Sequence, residues 1–95
     1  MARYFFDVHD VIFVADDQGV ELQGLTAVRS EAHRLLGELA AHDRSGSDRR
    51  EIRTDVRDET GALVLSATLQ IASELHQTEP NGYWARPSAY FARER

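Results

Sequence analysis

One segment of this chain carries apolar residues at helical spacing, and it lies between two segments whose apolar residues alternate as they do in strands. The helical segment covers about residues 26–42, and its apolar residues recur every three or four positions, which lines one face of a helix. These residues are Val28, Ala32, Leu35, Leu36 and Leu39. The order of the three segments predicts one helix between two pairs of strands.

Four strands are predicted from the alternation of apolar and polar residues. They cover residues 3–8, 11–15, 52–57 and 63–71, and residues 20–22 are interpreted as an extension of the second strand. The predicted fold class is α+β, with a ββαββ domain over residues 1–72 in which the helix packs on one face of a four-stranded antiparallel sheet. Leu63 is expected on the buried side of the fourth strand and Val64 on its polar side. Leu35 and Leu65 are expected to be fully buried between helix and sheet.

The composition limits the chemistry that the chain can perform. Its 95 residues are 42% hydrophobic and 28% charged, which is typical of one ordinary soluble domain. Cysteine is absent, which excludes disulfides, thiolate nucleophiles and zinc–thiolate sites. No apolar run is long enough for a signal peptide or a membrane span, so a cytoplasmic location is expected.

Asp7, His9 and Asp10 are the strongest candidates for catalysis or metal binding, because two carboxylates and an imidazole lie together at the end of the first strand. The same residue types also cap tight turns, and we favour this interpretation. The sequence contains no motif for a serine nucleophile, a nucleotide or a phosphate loop. We therefore expect neither an enzyme nor a cofactor, and we keep a small metal-dependent enzyme as the second alternative.

A basic segment provides another candidate site. All eleven basic residues of the chain are arginine, and the net charge is −5. Arg49, Arg50, Arg53 and Arg57 form a possible patch for an anion or a partner, with Arg53 and Arg57 on an exposed strand face beside a polar loop that holds the other two. Acidic residues interleave with them and no aromatic residue does, so nucleic-acid binding is not expected. Replacing Arg49 and Arg50 by alanine is expected to leave folding intact.

The first predicted hairpin is apolar on both faces, which suggests that something covers its outer face. Phe5, Ile12 and Val14 are assigned to the outer face, and Phe6 and Phe13 to the other. Residues 73–95 form a predicted irregular extension with four aromatic residues: Tyr83, Trp84, Tyr90 and Phe91. We expect residues 83–91 to pack on the outer face of the hairpin, either in the same subunit or across a homodimer.

Several motifs give the chain a resemblance to a family of short uncharacterised bacterial proteins. They are an opening Tyr4-Phe5-Phe6-Asp7 strand, the segment Asp16-Asp17-Gln18-Gly19, an Ala-, Glu- and Leu-rich helix, and the hairpin Val56-Arg57-Asp58-Glu59-Thr60-Gly61. The resemblance covers about residues 2–72. It supports the fold and implies no activity.

A weaker resemblance is to the HicB-type antitoxins, in which two or three strands, an Asp/Gly turn and a helix form a domain that neutralises a small toxin. Residues 13–39 look like that arrangement. The leading prediction is a non-enzymatic interaction module that self-associates as a homodimer, with another protein as a possible partner. The alternative is a HicB-antitoxin-like regulator that binds a toxin or nucleic acid.

Overall fold

The computed structural model describes residues 1–42 and 46–76, which form an antiparallel sheet and one helix. In chain order the elements are β1 (Ala2–His9), β2 (Phe13–Val14), β3 (Val20–Leu22), α1 (Leu25–Ala41), β4 (Arg49–Arg57) and β5 (Leu63–Ala72). The α+β class, the antiparallel pairing and the position of the helix along the chain are confirmed. Helix α1 does not have the length and apolar character that crossing a bilayer requires.

Strand β1 lies between β4 on one side and two short strands on the other. β4 pairs with β1 from Phe5 to His9, and β5 pairs along the far side of β4. On the opposite side of β1, β3 pairs with its beginning and β2 pairs with its end. The sheet of the described residues therefore has five strands and not four, because the region after the first turn divides into two strands that pair with different parts of β1.

The core lies between α1 and one face of the sheet. The buried side chains are Phe6 on β1, Val28, Ala32 and Leu36 on α1, and Ile52, Thr54 and Val56 on β4. Leu35 and Leu65, which were expected to be fully buried, are only half-buried. A helix about 10 Å across covers two or three strands that are about 4.8 Å apart, so side chains at the margin of α1 and on the outer strand β5 keep contact with solvent.

Strands β4 and β5 form a hairpin whose turn is built around Asp58, as the sequence predicts. The Asp58 carboxylate accepts hydrogen bonds from Thr60 N at 2.8 Å, Thr60 Oγ1 at 2.6 Å and Ala62 N at 3.0 Å. Gly61 has a φ of +90°, a conformation that glycine adopts without the steric cost of a Cβ atom. The turn is therefore fixed by local residues.

The start of β5 departs from the predicted alternation. Val56 pairs with Leu65, whereas the next residue, Arg57, pairs with Leu63, so Val64 is an extra residue in the ladder. Val64 packs against the core, and Leu63 is 63% exposed. The predicted burial of Leu63 and the predicted polar position of Val64 are wrong, because the bulge changes the side of the sheet on which residues before it lie.

The first hairpin also differs from the predicted assignment of its faces. His9 pairs with Phe13, and Ile12 belongs to the loop that joins β1 and β2. Because His9 and Phe5 are four residues apart on β1, Phe13 lies on the same face as Phe5, and Val14 lies on the opposite face. The predicted grouping of Phe5 with Val14 is wrong, since a shift of register by one residue exchanges the two faces of a strand.

Candidate functional site

The face of the sheet opposite α1, which we call the open face, carries most of the charged candidates. It presents Phe5, Asp7 and His9 of β1 and Arg53, Asp55 and Arg57 of β4. Arg57 Nε donates to Asp7 Oδ2 at 2.8 Å, and Arg57 Nη2 donates to Asp7 Oδ1 at 3.1 Å. The same Nη2 donates to the main-chain carbonyl of Asp16 at 2.8 Å. Arg57 therefore fastens the loop between β2 and β3 to the two central strands.

Asp16 completes this network. Its Oδ2 accepts a hydrogen bond from Phe6 N at 2.9 Å, and its Oδ1 accepts from Gln18 N and Gly19 N, both at 3.0 Å. Phe6 lies between the parts of β1 that pair with β3 and β2, so the carboxylate takes the place of a neighbouring strand. Asp16 N also donates to Asp7 Oδ1 at 2.9 Å. Together these bonds hold the loop against the edge of β1.

The hydrogen bonds lower the pKa of both carboxylates. The bond from Arg57 is the largest effect on Asp7, and it holds the pKa of Asp7 below its ordinary value although burial opposes it. Burial acts to raise the pKa of Asp16, but the N–H donors of Phe6, Gly19 and Gln18 outweigh burial, so that this pKa is lowered as well. A general acid or base is most effective with a pKa near the working pH. The shifts therefore favour a structural role for the network.

The ring of Phe5 is covered by the same network. The guanidinium carbon of Arg57 lies 4.9 Å from the centroid of the ring, in a cation–π arrangement. Gly19 packs so closely that a Cβ atom there would lie 2.9 Å from Phe5 Cε2 and 2.8 Å from Arg3 Cγ. Contacts within the subunit thus account for the half-burial of Phe5.

His9 belongs to a second group on the open face. Its Nε2 lies 2.9 Å from Asp55 Oδ2, and Asp55 Oδ1 accepts a hydrogen bond from Ser66 Oγ at 2.8 Å. Burial acts to raise the pKa of Asp55, but the bond from Ser66 and the positive charge of Arg53 outweigh it, and this pKa is lowered. The carboxylate stands between the hydroxyl and the imidazole, whereas a nucleophilic triad needs the imidazole next to the serine. The arrangement does not activate Ser66.

Asp10 forms a separate ion pair with Arg50. The Nη2–Oδ2 distance is 2.5 Å, and Nε donates to Oδ1 at 3.4 Å. Asp7, His9 and Asp10 consequently have three different partners and do not converge on a common point. Within residues 1–42 and 46–76, no three acidic or histidine side chains are grouped so that they could hold a metal ion.

The four arginines of the possible anion patch do not act as one group in the structure. Arg50, Arg53 and Arg57 each pair with a carboxylate. β4 begins at Arg49, so the prediction that Arg49 and Arg50 lie in a loop is wrong. Alternation along β4 places Arg50 on the face opposite the other three. Anion binding by these residues stays a prediction.

Two groups of exposed apolar side chains lie on the described surface. The first is residues 11–14, which we call the hairpin-loop segment and which are 52–86% exposed. The second lies on the helix side of the start of β5, where the exposed Leu25 lines a shallow depression with Val64 and Leu65. Leu63 is exposed on the open face, because it pairs with Arg57. The aromatic residues expected to cover the hairpin, Tyr83, Trp84, Tyr90 and Phe91, lie outside the described residues.

The sequence predicts that Asp16-Asp17-Gln18-Gly19 forms a turn whose residues bond their own backbone, and the bonds from Gln18 N and Gly19 N to the Asp16 carboxylate confirm it. The sequence does not predict that Asp16 is a partner of Asp7. The contacts of Asp16 with Phe6 and Asp7 depend on how the loop folds back on β1. Three of the motifs that carry the family resemblance therefore meet in one structural network.

The fold and the network define a small α+β domain whose charged residues fasten its loops to its sheet. Residues 3–70 match the family described as a domain of unknown function (DUF6894). The chain belongs to this family, and the resemblance to a family without assigned activity is confirmed. No curated protein and no solved structure matches the chain.

Proposed function

We propose that the protein is a cytoplasmic, non-enzymatic interaction module that self-associates. The observation that carries the proposal is the exposure of apolar side chains in the hairpin-loop segment and beside the start of β5. Exposed apolar groups that cluster in this way are typical of surfaces that another protein covers. The contacts of Asp7, His9 and Asp10 with Arg57, Asp55 and Arg50 support the same conclusion, because these contacts hold parts of the fold together.

The two alternatives make different demands on the structure. A metal-dependent enzyme centred on Asp7, His9 and Asp10 needs these side chains to converge, and each of them has a different partner. A HicB-antitoxin-like regulator needs an apolar surface for a toxin, and the hairpin-loop segment is suited to that role. The antitoxin-like alternative predicts a neighbouring gene that encodes a small basic protein.

The mass of the protein in solution tests self-association, and a metal titration tests the enzyme alternative. Size-exclusion chromatography with light scattering is expected to give about twice the 10.7 kDa of one chain at high micromolar concentration, decreasing on dilution. A mass of 10.7 kDa at every concentration contradicts self-association. Calorimetric titration with zinc, manganese and calcium is expected to show no binding. Binding heat that is lost in His9→Ala would favour the metal-dependent enzyme.

A further inference from the structure

The two edges of the sheet differ in how well they are protected from other strands. The edge beside β1 consists of β2 and β3, which are only two and three residues long. Between them the Asp16 carboxylate accepts the N–H of Phe6. Short or interrupted edge strands are one way in which proteins avoid pairing with a second sheet. The opposite edge is β5, and no strand of the described residues pairs along its outer side.

Beyond the bulge at Val64, which affects only its start, strand β5 lacks the features that usually protect an edge. Its sequence, LVLSATLQIA, covers ten residues without a charged residue, a proline or a glycine. Charged side chains, proline and short length are the common protections of an edge strand. Successive main-chain N–H and C=O groups point to opposite sides of a strand, so about every second residue of β5 directs its donor and acceptor away from β4. β5 therefore offers a long, uncharged edge to another strand.

We propose that β5 pairs in antiparallel orientation with β5 of a second copy of this chain, across a two-fold axis perpendicular to the sheet. This inference rests on the proposed self-association and names its surface. Polar side chains of both copies then meet on the open face, and apolar side chains meet on the helix side. The polar set is Ser66, Thr68 and Gln70, and the apolar set is Leu65, Ala67, Leu69 and Ile71. The product is one continuous sheet with both α1 helices on the same face.

A second copy fits this edge better than other occupants do. β5 has no charge with which a charged partner could pair, whereas each of its faces is complementary to itself. Antiparallel pairing also brings Ile71, near the end of one strand, to the start of the other, where Leu25 and Leu65 line the shallow depression. Residues 77–95 contain both prolines of the chain, and proline has no N–H to donate to a ladder.

Charges placed on β5 test the proposal directly. The variant Thr68→Lys with Gln70→Lys changes two exposed side chains of the open face and brings like charges together across the axis. The matched control, Ala15→Lys with Gln18→Lys, adds the same charge to the exposed loop between β2 and β3 on the other edge, outside both groups of exposed apolar side chains. We expect the β5 variant to raise the dimer dissociation constant about tenfold or more and the control to leave it unchanged. Circular dichroism checks that both variants are folded.

The possible results separate this inference from the proposal on which it rests. A dimer that is weakened by the β5 substitutions and not by the control supports the inference. A dimer that the β5 substitutions leave intact overturns the β5 interface, while self-association itself stands. If Val11→Lys with Ile12→Lys then weakens the dimer, its surface is the hairpin-loop segment. A wild-type protein that is monomeric at every concentration contradicts self-association, and the inference fails with it.

Hydrogen exchange of the unmodified protein provides a test that needs no variant. With β5 paired on both sides, consecutive amides of the strand are expected to exchange slowly, and about every second one should exchange fast after dilution to the monomer. Fast exchange at alternate amides at high micromolar concentration overturns the inference. Slow exchange at consecutive amides in a 10.7 kDa monomer overturns it as well, since another part of the same chain then covers the edge.

Discussion

Arg57 and Asp7 are 50 residues apart in the sequence and are joined by two hydrogen bonds, of 2.8 and 3.1 Å, across adjacent strands. The side chain of Asp7 is only 13% exposed, so its charge is poorly hydrated and depends on its partners. Asp7 accepts a further bond from Asp16 N, and Arg57 also bonds the Asp16 carbonyl. The pair therefore links β1, β4 and the loop between β2 and β3.

Asp7→Asn is expected to lower the free energy of unfolding at neutral pH by about 1–3 kcal/mol. The amide keeps the size of the side chain and one acceptor, but it cannot balance the charge of Arg57. Urea denaturation followed by circular dichroism measures the change. Asp17→Asn alters an exposed neighbouring carboxylate and serves as the control, with an expected change below about 0.5 kcal/mol. Equal stability of Asp7→Asn and the wild type would show that the network does not stabilise the fold.

The lowered pKa values predict how stability depends on pH. Asp7, Asp16 and Asp55 have folded-state pKa values below the ordinary 3.8, so below about pH 4 the unfolded chain binds more protons than the folded one. Their contribution to stability is therefore complete above the unfolded-state pKa and is lost as the pH falls through the folded-state values. Urea midpoints measured from about pH 7 to about pH 2 should be flat at first and then fall, with a smaller fall for Asp7→Asn. A fall of the same size in that variant would exclude Asp7 as a source.

Gly19 and Gly37 lie in different surroundings, so we expect opposite effects when each is replaced by alanine. Gly19 has a φ of +73°, and a Cβ atom there would meet Arg3 and Phe5 below 3.0 Å, so Gly19→Ala is expected to cost at least about 1 kcal/mol. Gly37 lies within α1 with no atom near its Cβ position, so Gly37→Ala is expected to stabilise the protein by about 1 kcal/mol. Thermal unfolding measures both effects. A neutral Gly19→Ala would mean that the loop moves freely away from β1.

Local patterns predicted the helix and most of the strands, because apolar spacing in α1, β4 and β5 is set by which face of each element is buried. The division into β2 and β3 was not predictable in this way, since it depends on the contact of the Asp16 carboxylate with Phe6 N. The bulge at Val64 is a similar case, because one extra residue changes the faces of β5 without any change in composition.

The candidate site shows the same limit. The sequence placed Asp7 and His9 together at the end of the first strand, and the structure has both on β1, but the sequence could not show that Arg57 and Asp55 would pair with them. Those partners come from β4, and the register between β1 and β4 is fixed by packing of buried side chains rather than by local preference. The contacts of Arg57 and Gly19 with the Phe5 ring could not be predicted for the same reason.

Leu35 and Leu36 are adjacent on α1 but buried to different extents, so we expect their replacement by alanine to lower stability by different amounts. Leu36 is 4% exposed, so Leu36→Ala is expected to lower the free energy of unfolding by about 2–5 kcal/mol. Leu35 is half-buried at the margin of the helix, so Leu35→Ala should cost clearly less. Chemical denaturation of the two variants compares them directly. A larger loss for Leu35→Ala would place the centre of the contact between helix and sheet elsewhere on α1.

Arg49 and Arg50 are adjacent in the sequence and are expected to respond in opposite ways to substitution. The side chain of Arg50 is 14% exposed and makes two bonds to Asp10, so Arg50→Ala leaves a poorly hydrated carboxylate without this partner and should cost about 1–3 kcal/mol. Arg49 is exposed, and Arg49→Ala should change the free energy of unfolding by less than about 0.5 kcal/mol.

A double-mutant cycle with Asp10→Ala isolates the contribution of the ion pair to stability. If Arg50 acts through Asp10, the loss caused by Arg50→Ala should shrink when Asp10 is already alanine, because the stranded carboxylate is then absent. An undiminished loss would assign the effect to the packing of the Arg50 stem against β5 instead. Unchanged stability of Arg50→Ala would restore the prediction from the sequence that both arginines are dispensable for folding.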